Sequence, residues 1–178
     1  MKKICISFLF ITIIILSGIG LIAQKPQKSE EYLRIHIRAN SNLEIDQAVK
    51  YKVKEQVVKY LTPLIAECKT KKDAEDMLEN NLSAVIAVAD TVLRNSGFSY
   101  TAKGSVKTEE FPTRVYDNLE LEHGFYDALI IELGEGVGDN WWCVVYPPLC
   151  FTGNECGYVY RSKILDVISD FYKNKEKH

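Results

Sequence analysis

The sequence predicts an α+β domain: two long amphipathic helices packed on a mainly antiparallel β-sheet, plus a short C-terminal helix. Three observations carry that expectation. Residues 33–39 alternate apolar and polar as a half-buried strand does, residues 45–93 repeat apolar side chains at helical spacing, and residues 98–146 break into β-rich pieces separated by turn residues. The 178 residues, 47% hydrophobic and 26% charged, suit one domain with a sizeable core. A formal net charge of -2, with no long basic block before the terminus, argues against a nucleic-acid binder that works by neutralising phosphates.

Residues 1–23 read as a signal peptide or an N-terminal membrane anchor. Lys2 and Lys3 precede an apolar run from Ile4 to Ala23. At about 1.5 Å per residue such a run also spans a roughly 30 Å hydrocarbon layer, so a retained anchor competes with cleavage at the small-x-small site Gly18-Ile19-Gly20. Either way the segment directs the chain across a membrane, into a setting that permits disulfides. Residues 24–31 are a polar linker with Pro26. A single α+β domain is expected over 32–157, and 158–178 form a helical extension with a charged tail.

The first strand puts Leu33, Ile35, Ile37 and Ala39 on one face and Arg34, His36 and Arg38 on the other. The cationic face is expected to be solvated, as one side of an antiparallel sheet commonly is, with a partner or anion site as the alternative. Asn40-Ser41-Asn42 breaks the strand, and a helix opens near Ile45 and Asp46. Its apolar stripe is Ile45, Val49, Val53, Val57, Tyr60, Leu61, Leu64, Ile65 and Cys68, while Lys50, Lys52, Lys54, Glu55 and Lys59 read as its solvated circumference. Pro63 predicts a kink or a boundary. Thr70 followed by Asp73 caps a second helix whose stripe runs from Ala74 to Leu93 and which Asn95-Ser96-Gly97 terminates.

Strands are then expected over 98–107, with Gly104 as a weak point or bulge, over 111–116, where Pro112 demands an edge or bend, briefly over 119–121, and over 126–133. Asp117-Asn118 supplies a turn. The loop Gly134-Glu135-Gly136-Val137-Gly138-Asp139 lacks the Gly-Lys-Ser/Thr ending and the following helix of a phosphate loop, so it reads as a hairpin turn. It delivers the chain to Asn140-Trp141-Trp142-Cys143, a strand that stops at the donor-less Pro147-Pro148 corner. Alternation sends Trp141 and Cys143 to one side and Trp142 and Val144 to the other. Cys143 and Cys150 flank the corner and are expected to pair; an eight-residue loop so closed contributes about 2.5 kcal/mol in the chain-entropy model. Cys68 and Cys156 have no readable pairing. A last helix is expected over 164–171.

No catalytic motif stands out. Cys150 with His36 or His123 lacks a cysteine-protease signature, and Cys143, Cys150 and Cys156 lack the tight spacing of a zinc site. Glu109, Glu110, Glu120 and Glu122 read as solvated carboxylates. No cofactor, metal or catalytic residue is expected.

Several separated blocks together carry a resemblance: the export segment, Leu33 through Asn42 as LRIHIRANSN, Asp46-Gln47 with Lys50 and Val53, Glu110 through Tyr116 as EFPTRVY, and Asn140 through Phe151. In their order they resemble the stage II sporulation protein R family of endospore-forming bacteria, over about residues 32–151. The resemblance implies a signalling protein and not an enzyme. It implies export from the forespore into the space between the two septal membranes and activation of a membrane-embedded aspartic peptidase of the mother cell, which processes pro-sigma-E. The C-terminal extension departs from the family's motifs. Residues of the matching blocks, Arg38, Asn40, Asp46, Gln47, Lys50, Arg114, Trp141 and Trp142, are the expected partner contacts. The rival reading is a cell-envelope hydrolase acting at the septum through Cys150 or a glutamate.

Overall fold

A computed structural model describes residues 28–116, 119–152 and 158–177. The expected signal or anchor segment, the Asp117-Asn118 turn and Cys156 lie outside the described residues. Strand β1 (Lys28–Arg38) leads into helix α1 (Glu44–Ile65) and helix α2 (Lys71–Asn95). Then come β2 (Ala102–Phe111), β3 (Arg114–Tyr116), β4 (Leu119–Leu121), β5 (Gly124–Leu133), β6 (Asn140–Tyr146), a 3₁₀ turn (Leu149–Phe151) and α3 (Tyr158–Lys175). The main sheet has the order β2-β5-β1-β6, and β3 with β4 forms a separate two-stranded ribbon.

The α+β expectation holds, with a mixed sheet. Strand β1 pairs parallel with β5 and antiparallel with β6, while β2 and β5 pair antiparallel. Because β1 lies between β5 and β6, the glycine loop that joins those strands is not the expected hairpin turn. It crosses the end of β1, where Gly138 N–H donates to Ala39 O at 2.9 Å.

One face of the sheet packs on the helices. Leu33, Ile35, Ile37, Leu129, Ile131 and Val145 meet Val49, Val53, Val57, Leu61, Leu78, Val85, Ala89 and Leu93 in one core. Helix α1 runs through Pro63 and ends after Ile65, so the proline lies inside the helix, in its last turn. At the start of α2 the Thr70 hydroxyl accepts from Asp73 N–H and the Asp73 carboxylate accepts from Thr70 N–H, a complete capping box. Gly97, with φ +83°, lets the chain turn out of α2.

Several expectations are corrected. Ile45 was placed in the buried stripe but is 62% exposed, because the stripe begins only at Val49. Lys50, assigned to the solvated side, is buried. Strand β2 lies four residues later than expected and keeps unbroken pairing past Gly104, so there is no bulge. A Cβ at Gly104 would come within 3.0 Å of Ile86, so the glycine instead permits close helix–sheet packing. The last helix is longer than expected at both ends.

The largest correction concerns the second face of the sheet. Arg34 and His36 are fully buried, not solvated, because Tyr32, Phe111, Leu121, Tyr126, Ala128, Ile130 and Val144 build a second core there. The β3–β4 ribbon and Phe171 of α3 pack against it. The continuous apolar run Ala128 to Ile131 reflects burial on both faces.

Candidate functional site

The eight expected contact residues fall into three groups. Asn40, Asp46, Gln47 and Lys50 form a polar knot where β1 gives way to α1. The buried Asp46 carboxylate accepts from Asn40 Nδ2 at 2.9 Å, Ser41 Oγ at 2.6 Å and the Tyr100 hydroxyl at 2.6 Å. Burial works to raise its pKa, but the hydrogen bonds from Ser41, Tyr100 and Asn40 outweigh burial and hold it below the ordinary carboxylate value. Lys50 Nζ donates to Gln47 Oε1 at 2.6 Å and to Asp139 O at 3.0 Å. Gln47 Nε2 donates to Ser41 O at 2.9 Å. Burial lowers the Lys50 pKa, and Asp139 acts in the opposite sense.

The knot also captures the glycine loop. Asn40 Oδ1 accepts from Glu135 N–H at 3.0 Å, and Asn42 Oδ1 accepts from Asp139 N–H at 2.7 Å. Gly134 adopts φ +59°, and a Cβ there would strike the Asn40 carboxamide. A Cβ on Gly138 would strike the Ser41 carbonyl. Asp46 and Lys50 were expected to be exposed contacts; both are buried, Asp46 bonded by the side chains of Asn40, Ser41 and Tyr100, and Lys50 by the Asp139 carbonyl of this loop, 89 residues further on.

The second group, Arg38, Arg114 and Trp142, lies on the second face of the sheet. Arg38 donates to Glu109 at 2.8 Å and to Glu132 at 2.7 Å. The Arg114 guanidinium carbon lies 5.6 Å from the centre of the Trp142 ring, and Trp142 lies 4.8 Å from His36 and 4.9 Å from Phe111. Glu109, expected to be solvated, is half-buried, and its Oε2 stands 2.8 Å from His36 Nε2, off the line of a hydrogen bond. Burial, then Arg38, Lys107 and Arg34, push His36 down to about 3, so the ring is neutral at ordinary pH. Beneath this layer Arg34 donates to the Tyr116 hydroxyl at 2.9 Å and lies 4.2 Å from the Phe111 ring centre and 4.7 Å from that of Tyr126. Aromatic faces stand where Nε and Nη1 would otherwise find acceptors.

Trp141 stands apart, on the helix side, with Lys54 Nζ 6.0 Å from its ring centre. Alternation therefore assigned the two tryptophans to opposite faces correctly, but both are half-buried, since ribbon and helices each cover one. Cys143 and Cys150 lie side by side with Cα atoms 6.4 Å apart, within the range of a disulfide pair. Cys68 is buried, and burial, then Asp73 and Glu67, push its thiol up to about 11.

Sequence reasoning missed His36, Glu109, Glu132 and Tyr100 as partners in these groups. The alternation of β1 placed His36 beside Arg38, but nothing local joined either to a carboxylate 71 residues further on. Among the described residues no group of three or more His, Cys, Asp or Glu is placed to hold a metal ion. No described helix is long and apolar enough to cross a membrane. An open groove of about 730 Å³ between α1 and α2 is lined by Lys52, Glu55, Gln56, Tyr60, Ala84 and Val88 among others.

A sheet buried on both faces, whose distinctive polar residues tie loops together and stack with aromatic rings on one side, defines an α+β domain. The family model described as stage II sporulation protein R matches residues 29–155, and the chain belongs to that family. It is 33% identical over 162 residues to stage II sporulation protein R of Bacillus subtilis (strain 168), covering 85% of this chain and 72% of that one. No solved structure matches. Helix α3 follows the matched residues.

Proposed function

We propose that this chain is an exported sporulation signalling protein that activates, by binding, a membrane-embedded aspartic peptidase of the mother cell and so triggers processing of pro-sigma-E. It would leave the forespore for the space between the septal membranes, held there through residues 4–23 unless these are cleaved. Membership of the family supports the reading. The observation that carries it is the layer in which Arg114 stacks on Trp142 and Trp142 on His36, because it joins three matching blocks at a partly open face. Arginine and tryptophan in such a layer are the side chains that anchor protein interfaces.

Activation requires differential affinity: the chain must bind the active state of the peptidase more tightly than the inactive one, since equal affinity shifts nothing. The hydrolase reading gains no support here. Cys150 sits against Cys143, Glu109 is engaged by Arg38, and Glu110 by His123 at 2.7 Å. The disulfide belongs to the proposal and suits an oxidising space.

Co-expression of this chain with the peptidase and its substrate in a non-sporulating host tests the function. Processing should depend on the chain, and Arg114→Glu should reduce it while leaving the melting midpoint unchanged. Processing in the absence of the chain would sink the reading.

A further inference from the structure

Three of the most exposed apolar side chains of the described residues gather at one end of the sheet. Leu43 is 65% exposed, Ile45 62% and Val137 76%. Leu43 and Ile45 open α1, and Val137 is in the glycine loop, beside Gly138 and Asp139, which bond to Ala39 and Asn42. This juxtaposition requires the polar knot. Asn40 and Asn42 hold the glycine loop, Leu43 N–H donates to Ser41 Oγ at 3.1 Å, and Ser41 donates to the buried Asp46. Both loops are therefore ordered before any partner arrives, which lowers the entropy lost on binding.

Two further features say what the tip meets. Residues 41–46 and 134–139 carry no lysine or arginine, and their exposed charges are Glu44, Glu135 and Asp139. Lys50, one turn along α1, is buried with its ammonium spent on Gln47 and Asp139. Within these two loops the exposed charges are all carboxylates, and the neighbouring Arg38 is spent on Glu109 and Glu132, so the tip disfavours anionic lipid and complements a protein recess rimmed by cations. The tip lies at the opposite end of β1 from Lys28, about 30 Å along the strand at about 3.3 Å per residue.

We propose that Leu43, Ile45 and Val137 insert into an apolar recess rimmed by lysine or arginine on the partner protein, and that the polar knot presents them. This rests on the functional reading above and names the docking point within it. The tip adjoins Arg38, the last residue of β1, and so extends the face that carries Trp142.

The test uses the full chain in the co-expression assay. The combined Leu43→Ser, Ile45→Ser and Val137→Ser variant should lower the processed fraction at least ~10-fold, with the melting midpoint within about 2 °C of the parent chain. Glu44→Lys with Glu135→Lys, a surface change that spares packing, should lower it in the same direction. Leu165→Ser, at a less exposed but still open position on α3, should leave it unchanged. If the parent chain supports no processing, the functional reading falls and takes the docking point with it. If the parent chain is active and both tip variants keep full activity, the docking point is overturned while the functional reading stands. Co-sedimentation of the chain with anionic vesicles that the serine substitutions abolish would overturn the protein recess in favour of lipid.

Discussion

Replacing Asp46 by alanine probes the claim that one buried carboxylate organises the end of the domain where β1, α1 and the glycine loop meet. The side chain accepts three hydrogen bonds, at 2.9, 2.6 and 2.6 Å, and is 3% exposed. Hydrogen bonds to a charged acceptor contribute about 1.5–3 kcal/mol each, but they are not additive, and Ser41 and Asn40 can find water once the carboxylate is gone. A net loss of about 3–4 kcal/mol is the reasonable sum. For a chain of this size that lowers the melting midpoint by roughly 6–16 °C. Tyr100→Phe, which removes one of the three bonds, should cost about 1–2 kcal/mol, and a double-mutant cycle with Asp46→Ala should return a coupling of the same order. The pH dependence follows from the sign of the shift. A carboxyl whose folded pKa is depressed contributes stability above its ordinary value of 3.8, and that contribution is lost as pH falls through the folded value. Parent and Asp46→Ala melting curves, followed by circular dichroism, should therefore differ most near neutral pH and converge in acid. A midpoint within about 2 °C of the parent at pH 7 would refute the organising role of the knot.

Three other outcomes are expected. His36 should remain neutral down to about pH 4, since burial and three cations hold it near 3; between its ordinary value of 6.5 and that folded value, the unfolded chain alone takes up a proton, so stability should fall by about 1.4 kcal/mol per pH unit from this group. An imidazole carbon-proton resonance of His36 that titrates near 6.5 would contradict this. Gly138→Ala should destabilise by about 1–3 kcal/mol in chemical denaturation, because the added methyl meets the Ser41 carbonyl, which the knot holds in place. Cys143 and Cys150 should resist alkylation in the air-oxidised protein until it is reduced, and Cys143→Ser with Cys150→Ser should cost about 2.5 kcal/mol; alkylation of Cys150 without reductant would show the pair open.

Much of the fold was legible because its signals are local. The Thr70–Asp73 cap, the Gly97 terminus, the two helical stripes and the alternation that separates Trp141 from Trp142 each depend on residues within a few positions of one another. The site was less legible. Arg34, His36 and Lys50 carry charge, and charge usually marks a solvated surface, so their side chains were placed in water. Each is buried because a distant element arrives over it: Phe111, Tyr116 and Tyr126 over Arg34, Trp142 and Phe111 over His36, and the glycine loop over Lys50. The glycine loop itself looked like a hairpin turn, since a loop's length and glycines do not reveal which strand lies between its two ends.

By itself the sequence determined the class of domain, the positions of most elements, the expected pairing of Cys143 with Cys150 and, through the order of its motif blocks, the family. Hydrophobic period, capping chemistry and proline placement act over one or two turns of chain, and so can be read along it. Only the tertiary structure decided that β1 lies between β5 and β6, and from that choice the rest follows. Insertion of β1 brings Arg38 between Glu109 and Glu132 and carries the glycine loop across Asn40 and Asn42. It also converts residues that resembled contacts into the frame that holds Leu43, Ile45 and Val137 in place. Strand order depends on which faces can be buried together, a condition met by the whole chain at once and by no segment alone.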